Sequence, residues 1–258
     1  MEDYLEFAKN IAFEAGRIML KHFKVGVDYT EKHDLSIVTA ADQEINQFLI
    51  DKVNEIFPEH SVLGEEKSDI KISNKIWVCD PIDGTVPYSK GLPISVFSLA
   101  YVEDGTPLLG VVYDPFMQRL YYATKGGGAF VNEKKLKVSQ SKLDRRATLD
   151  IEWWPEAEYD VDSAYHRLSV STGAYVLHLG SVIQAACLVA SGQLEACAFA
   201  GTIGKNVDIA AIKVIVEEAG GKVTDLFGQE QRYDQDIKGA IISNSLTHSE
   251  LCKLLSNQ

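Results

Sequence analysis

A dense group of oxygen ligands follows an apolar run at residues 76–79. The segment Asp80-Pro81-Ile82-Asp83-Gly84-Thr85 offers two carboxylates three residues apart. Its proline fixes one backbone angle, and Gly84 permits a sharp turn that lets the Ile82 carbonyl and the Thr85 hydroxyl point the same way. Hard oxygen ligands without His or Cys suit Mg²⁺ better than zinc. By itself the segment fits a magnesium site and an ordinary turn equally well, because Asp, Pro and Gly also favour turns.

Three further segments could contribute to the same site. Two of them contain carboxylates, and the third could bind an anion. Gly64-Glu65-Glu66 lies upstream, and Asp208 opens a helix-like stretch that continues to Gly221. Gly180-Ser181 precedes a predicted helix at 182–191, whose free N-terminal amide groups suit an anion. Ser181 and Asp208 could each also serve only as a helix N-cap.

The four segments together resemble a known family. They read GEE at 64–66, WVCDPIDGT at 77–85, LGS at 179–181 and VDIAAIKVIVEEAGG at 207–221. Their order and approximate intervals are similar to those of the inositol monophosphatase family, whose members are Mg²⁺-dependent, lithium-sensitive phosphatases. The resemblance covers nearly the whole chain and implies a phosphatase of small phosphate monoesters.

The resemblance also implies a set of metal ligands. Glu65, Asp80 and the Ile82 carbonyl would hold one Mg²⁺, and Asp80, Asp83 and Asp208 would hold a second. Asp80 is then shared by both ions. Two bridged cations can clamp the attacking and leaving oxygens of a phosphoryl transfer and lower the pKa of water.

Catalytic and substrate-binding roles follow from the same resemblance. Glu65, Thr85 and Asp83 would be catalytic, with Thr85 and Glu65 positioning the attacking water. The residues implied to bind substrate are Asp83, Gly84, Thr85, Gly180, Ser181 and Asp208.

The charge of the site bears on how many ions it holds. The four acidic ligands carry four negative charges, which two divalent ions only cancel, so a third Mg²⁺ is plausible before a dianionic phosphate binds. Glu66 or Asp42 could hold it through water. For both residues we favour the simpler interpretation of a solvated surface acid.

Composition limits the class of protein. The chain has 258 residues, 46% hydrophobic and 24% charged, and can bury a large core. Its net charge of −12 argues against nucleic acid or an anionic membrane as the main partner. No apolar run approaches the ~18 residues of a membrane span, and the acidic start does not resemble a signal peptide. Four scattered cysteines indicate a reducing compartment, so we expect a cytoplasmic protein.

Hydrophobic periodicity predicts the elements that position these residues. We expect helices over 4–23 and from an N-cap at Thr39 to before Pro58, with an irregular connection at 25–38. An antiparallel meander is predicted over 95–102, 108–113, 119–124 and 129–131. A polar stretch at 139–146 suggests an α+β half (1–142) and an α/β half (143–258). The resemblance implies that these form the layered αβαβα sugar-phosphatase fold.

The match departs from the family on the leaving-group side. Val86-Pro87-Tyr88 replaces the usual Asn and aromatic residue, Val207 replaces a Trp, and Gly201 stands where inositol-specific members tend to have Glu. We therefore expect a broader leaving group than inositol. The alternatives are phosphatases of 3′-phosphoadenosine 5′-phosphate, fructose 1,6-bisphosphate or histidinol phosphate, and a non-catalytic regulatory partner. The resemblance also implies a homodimer.

Overall fold

The computed structural model describes residues 1–32, 36–153, 157–200 and 205–256. The helices are α1 (Glu2–His22), α2 (Ala40–Ile56), α3 (Thr85–Ser89), α4 (Val161–Thr172), α5 (Val182–Ala190), α6 (Asn206–Glu218) and α7 (His248–Ser256). The strands are β1 (Tyr29–Glu31), β2 (Ile37–Thr39), β3 (Ser61–Gly64), β4 (Lys75–Asp83), β5 (Val96–Glu103), β6 (Thr106–Asp114), β7 (Arg119–Thr124), β8 (Gly128–Val131), β9 (Lys134–Lys135), β10 (Thr148–Trp153), β11 (Tyr175–Leu177), β12 (Ala196–Ala200), β13 (Lys222–Thr224) and β14 (Gly239–Ser243).

Two large sheets and three pairs of helices alternate in five layers. The first sheet has seven strands in chain order from β3 to β9, and only the β3–β4 pair is parallel. The second has the order β11-β10-β12-β14-β13, with β10 parallel to both of its neighbours. Helices α1 and α2 cover the first sheet, α5 and α6 lie between the sheets, and α4 and α7 cover the second. The αβαβα prediction and the antiparallel meander are confirmed.

The first two helices follow their sequence patterns. In α1 the small or flexible residues Ala8, Ala12, Ala15 and Met19 are fully buried at helical spacing. Helix α2 begins after Thr39, which forms a capping box with Asp42: Asp42 Oδ2 accepts a hydrogen bond from the Thr39 N–H at 2.8 Å. Both helix predictions are confirmed.

Two predictions were wrong. The 25–38 connection is not wholly irregular, because β1 and β2 pair antiparallel, with Thr30 opposite Val38. Its first strand is exposed along its length and so lacks the alternation that marks a strand in sequence. Asp42 is not a solvated surface acid, since it is fully buried. It lies on the packed face of α2, at helical spacing from the buried Ile45 and Leu49.

Helix α6 is the central element of the molecule. Residues 206–216 are all buried, because the helix packs between the two sheets and has no solvent face there. The backbone approaches β6 so closely that a Cβ on Gly110 would overlap the Ala211 carbonyl. The one buried lysine of the helix, Lys213, donates to Glu217 at 2.6 Å, Glu230 at 2.7 Å and the Val223 carbonyl at 2.9 Å. These contacts fix the position of the helix that carries Asp208.

The first sheet ends at Lys135 and the second begins at Thr148, so the polar stretch 139–146 joins them. The boundary proposed at residue 142 lies within this connection and remains a prediction. In the described part of the chain, no helix is long and apolar enough to cross a membrane.

A buried histidine predicts how stability depends on pH. His248 is 3% exposed, and its ring nitrogens lie 2.9 Å from Thr224 Oγ1 and 2.8 Å from Ser243 Oγ. Burial, with smaller effects of Lys222 and Lys213, lowers its pKa to about 4. The unfolded chain takes up this proton near pH ~6.5. Because the unfolded state binds more protons, the free energy of unfolding falls as the pH drops from 6.5 towards 4.

We expect His248→Gln, whose amide has a donor and an acceptor but does not titrate, to be less sensitive to acid than the parent. Urea unfolding in chelator at several pH values between 7 and 4.5 measures this. The difference in unfolding free energy between parent and variant should shift in favour of the variant as the pH falls. If the unfolding free energies of parent and variant changed in parallel with pH, His248 would not be the acid-sensitive group.

Candidate active site

Three buried carboxylates meet where β4 ends and α6 begins. One oxygen from each of Asp80, Asp83 and Asp208 lies within 4.8 Å of the others, and their exposures are 2%, 8% and 6%. Asp80 and Asp83 close β4, whereas Asp208 is the third residue of α6. Lys205 occupies the N-cap position of α6, so the N-cap interpretation of Asp208 is wrong. The fold thus joins two of the predicted segments at one point.

The end of β4 is irregular, and this irregularity aims both of its carboxylates. Pairing with β5 shifts register between Asp80 and Asp83, a local bulge in the strand. The Ile82 N–H donates to Asp80 Oδ1 at 2.9 Å, and the Thr85 hydroxyl donates to the Ile82 carbonyl at 2.9 Å. Gly84 adopts the left-handed conformation at φ 81°, which a residue with a Cβ reaches only at a cost. The segment is therefore both a turn and a group of converging carboxylates.

Helix α5 holds Asp83 in place. Asp83 Oδ2 accepts hydrogen bonds from the Ser181 hydroxyl and from the Ile183 N–H, the latter at 2.8 Å. The same hydroxyl accepts from the Gln184 N–H at 3.2 Å and so caps the helix. Ser181 is 1% exposed. The residue predicted to contact substrate thus lies against a metal-ligand candidate, whereas neighbouring Gly180 lines the cavity.

Burial of these acids raises their pKa values. Desolvation is the main cause for all three, and mutual repulsion adds to it: the pKa of Asp83 rises to about 8, and that of Asp80 rises well above its usual range. For Asp208 the rise is to about 6, because the nearby Lys205 ammonium opposes it. Crowded, desolvated carboxylates with only oxygen ligand atoms fit a hard divalent cation such as Mg²⁺. Neutralising them requires either protons or bound cations.

Glu65 lies beside this cluster on a separate strand end. It follows β3, and its N–H donates to the Cys79 carbonyl at 3.1 Å. Its Oε1 is 3.3 Å from Lys32 Nζ and 3.8 Å from Lys205 Nζ, and Lys32 Nζ also lies 2.6 Å from Glu66 Oε1. Two lysines therefore face the carboxylate predicted to bind a metal. Sequence reasoning missed Lys205, although it stands only three residues before Asp208.

Most of the predicted site residues line one cavity of about 380 Å³. This volume suits a small organic ligand. The cavity is lined by Glu65, Asp80, Ile82, Asp83, Gly84, Thr85, Gly180 and Asp208 from the predicted set. Its remaining surface is mostly apolar; the polar exceptions are Ser36, Lys90, Lys205, Glu152 and His178. The sequence analysis missed Glu152. The available signal was that Asp150 and Glu152 alternate with apolar residues in one strand and so share a face.

The residues considered for a third ion lie close to Glu65. Asp42 and Glu66 are both near enough for Glu65 to raise their pKa values, although burial is the larger cause; for Asp42 the value rises to about 7. Glu66 is half-buried and paired with Lys32. Residues 33–35 of the predicted connection, and Gly201, lie outside the described residues.

Comparison with known proteins accounts for this arrangement. All of residues 1–258 match the model of the inositol monophosphatase family. A Thermotoga maritima "fructose-1,6-bisphosphatase/inositol-1-monophosphatase" is 34% identical over 98% of this chain and 96% of its own length. The solved structure of a Thermotoga maritima IMPase aligns with a TM-score of 0.87 and 31% identity, covering 99% of this chain and 97% of that one.

A second solved structure was determined with ligands. It is an "IMPase/NADP phosphatase complexed with Mg²⁺ and phosphate", with a TM-score of 0.80 and 29% identity, covering 100% of this chain and 95% of that one. Fold, sequence and the converging carboxylates agree, and the chain belongs to the inositol monophosphatase family.

Proposed function

We propose that the protein is a Mg²⁺-dependent phosphatase that hydrolyses the phosphate monoester of a small polyol or sugar. The observation that carries this proposal is the meeting of Asp80, Asp83 and Asp208 at a cavity of about 380 Å³. Relatives named for phosphatase activity, one of them with Mg²⁺ and phosphate, support it. The cavity has room for a phosphate and a ring-sized leaving group.

The residues that would hold Mg²⁺ divide into two groups that share one member. Glu65, Asp80 and the Ile82 carbonyl suit one ion, and Asp80, Asp83 and Asp208 suit a second. Bound Mg²⁺ neutralises the phosphate, orients it and makes water more acidic. A third ion, near Glu65 and Glu66, belongs to this proposal because the four acidic ligands and a phosphate dianion together carry more negative charge than two divalent ions cancel.

The remaining residues orient the reactants and compensate charge. The Thr85 hydroxyl donates to the Ile82 carbonyl, so its lone pairs are left to accept a hydrogen bond from the attacking water, and the Glu65 carboxylate would accept the proton of that water. Gly84, Thr85 and Gly180 line the cavity where the phosphate would lie. Lys205 places a permanent positive charge beside the same carboxylates. Asp83, held by α5, is kept from rotating away from the site.

The leaving-group side also offers apolar contacts, which suit the carbon atoms of several kinds of ester. Much of its surface is apolar and comes from Val86, Pro87, Leu92 and Phe199. The names of the two relatives combine inositol monophosphatase with fructose bisphosphatase and with NADP phosphatase. Bisphosphate or nucleotide substrates therefore stay among the candidates. A purely regulatory role is less well supported, because a non-catalytic protein has no physical need to keep buried carboxylates together.

Two further parts of the proposal concern the state of the protein. A homodimer is proposed from family resemblance. A cytoplasmic location is supported by Cys79, Cys187, Cys197 and Cys252, which are all buried thiols without a disulfide.

The proposal predicts that phosphate release requires a divalent cation. A panel of phosphorylated polyols, sugars and nucleotides should release phosphate with Mg²⁺ and not in excess chelator, and added Mg²⁺ should restore the rate. Ca²⁺ should inhibit, because it takes more ligands in a looser geometry. Turnover in chelator at a rate near that with Mg²⁺, or no turnover of any ester in the panel, would contradict the proposed function.

Asp80→Asn should abolish turnover without unfolding the protein. The shared ligand loses its charge, so we expect a loss of ~10³-fold or more in kcat, about 4 kcal/mol of transition-state free energy. The melting temperature in chelator should stay equal or rise, because a neutral amide relieves repulsion from Asp83 and Asp208. Asp114→Asn changes a buried acid at the end of β6, outside the cavity lining, and is the matched control.

Lys205→Met should separate metal binding from phosphate binding. The ammonium contacts Glu65 at 3.8 Å and opposes a cation there. Two unit charges about 4 Å apart interact by ~1 kcal/mol even in bulk water, so half-maximal activation should need at least about fivefold less Mg²⁺. Inhibition by inorganic phosphate should weaken. Lys90→Met is the control. Lys90 also lines the cavity, but its ammonium lies over the ring of Tyr29, 5.5 Å from the ring centroid. An unchanged Mg²⁺ requirement would show that Lys205 leaves the site when metals bind.

A further inference from the structure

Glu152 lies in the wall of the active-site cavity but belongs to none of the four segments that predicted the site. In the parallel pairing of β10 with β12 it stands beside Phe199, which also lines the cavity. The N–H of Gly180 donates to Glu152 Oε1 at 2.5 Å. Because Ser181, the next residue, binds Asp83, this hydrogen bond joins Glu152 to the loop beside the metal ligands.

Asp150, two residues earlier on the same face of β10, lies near the Glu152 carboxylate. It is fully buried; its Oδ1 accepts the Leu179 N–H at 3.1 Å, and its Oδ2 has no hydrogen-bond partner among the described residues. Burial and then the charge of Glu152 raise the pKa of Asp150 to about 8. Burial also raises the pKa of Glu152, but the hydrogen bond from the Gly180 N–H opposes that rise. This donor therefore favours the ionised form of Glu152.

The Glu152 carboxylate accepts the Gly180 N–H and has acceptor capacity left for further donors. Its accessible part faces the cavity, where it can accept a hydrogen bond from a hydroxyl and repel a second phosphate. Its neighbour Phe199 offers an apolar surface to the carbon atoms of a ring. The wall thus suits a hydroxylated, uncharged leaving group.

On the basis of the phosphatase function proposed above, we propose that Glu152 determines specificity by accepting a hydrogen bond from a hydroxyl of the leaving group. Glu152 would then select polyol monophosphates against esters that lack the hydroxyl or place a second phosphate at this wall. From the sequence, the glycine at position 201 predicted broad specificity, because a Glu that contacts a hydroxyl is missing there. In the present proposal Glu152 on β10 supplies such a contact instead.

The test compares two esters that share a six-membered ring and differ in hydroxyls: inositol 1-phosphate and cyclohexyl phosphate. Glu152→Ala should lower kcat/KM for inositol 1-phosphate by about 10- to 100-fold, the range for losing a hydrogen bond to a charged group. For cyclohexyl phosphate, kcat/KM should change by less than about twofold. Its inhibition constant as a competitive inhibitor should be measured as well, so that binding can be compared even if turnover is slow. The kcat/KM of Glu152→Gln for inositol 1-phosphate should lie between those of the parent and of Glu152→Ala.

Three controls keep the outcomes distinct. Glu195→Gln alters another buried carboxylate of the same sheet, which accepts the Thr148 N–H at 2.7 Å outside the cavity, and should leave both esters unchanged. Melting temperatures of all variants check the fold. Equal losses on both esters, or no loss on inositol 1-phosphate, would overturn the role of Glu152. Failure of the proposed function is a different result: the parent would release no phosphate from either ester in Mg²⁺.

Discussion

The repulsion among Asp80, Asp83 and Asp208 is the constraint on which the rest of the structure depends. Placing like charges out of water within a few ångströms costs several kcal/mol for each ion unless protons, hydrogen bonds or cations compensate. The protein supplies part of that compensation. Donors from the Ile82 N–H, the Ser181 hydroxyl and the Ile183 N–H hold two of the carboxylates. The remainder fits divalent cations, so affinity for metal and instability of the metal-free site have one cause.

The layered fold makes this arrangement possible because it lets separate elements end at one place. Strands β3 and β4 are parallel, so their C-terminal ends lie side by side in the first sheet, where Glu65 follows β3 and Asp80 lies near the end of β4. Helix α6 then brings Asp208 from between the sheets, and α5 brings the donors that hold Asp83. The close packing of α6 against β6 at Gly110 fixes the distance between these groups. A rigid core thereby maintains a site that would otherwise spread apart.

Charge compensation extends beyond the metal ligands. Lys32 and Lys205 face Glu65, and Glu152, held by the Gly180 N–H, adds a carboxylate to another part of the cavity wall. In the orientation proposed above, the phosphate lies near the lysines and the leaving group lies near Glu152. Such a charge distribution would orient an ester whose phosphate is anionic and whose other end is a neutral hydroxylated group.

Much of the site could be predicted from sequence because its residues lie in short local motifs. The turn at 80–85 depends on proline and glycine within six residues, and the helix predictions depend on spacings of three and four. These patterns identified the family, the layered fold and the acidic side chains that meet at the cavity. They could not reveal the β1–β2 pairing, whose first strand is exposed throughout, or the burial of Asp42, which depends on how α2 packs. Nor could they show that Ser181 binds Asp83, or that Lys205 and Glu152 enter the cavity. Those facts depend on contacts between residues far apart in the chain, and only the tertiary structure decides which distant groups share one desolvated space.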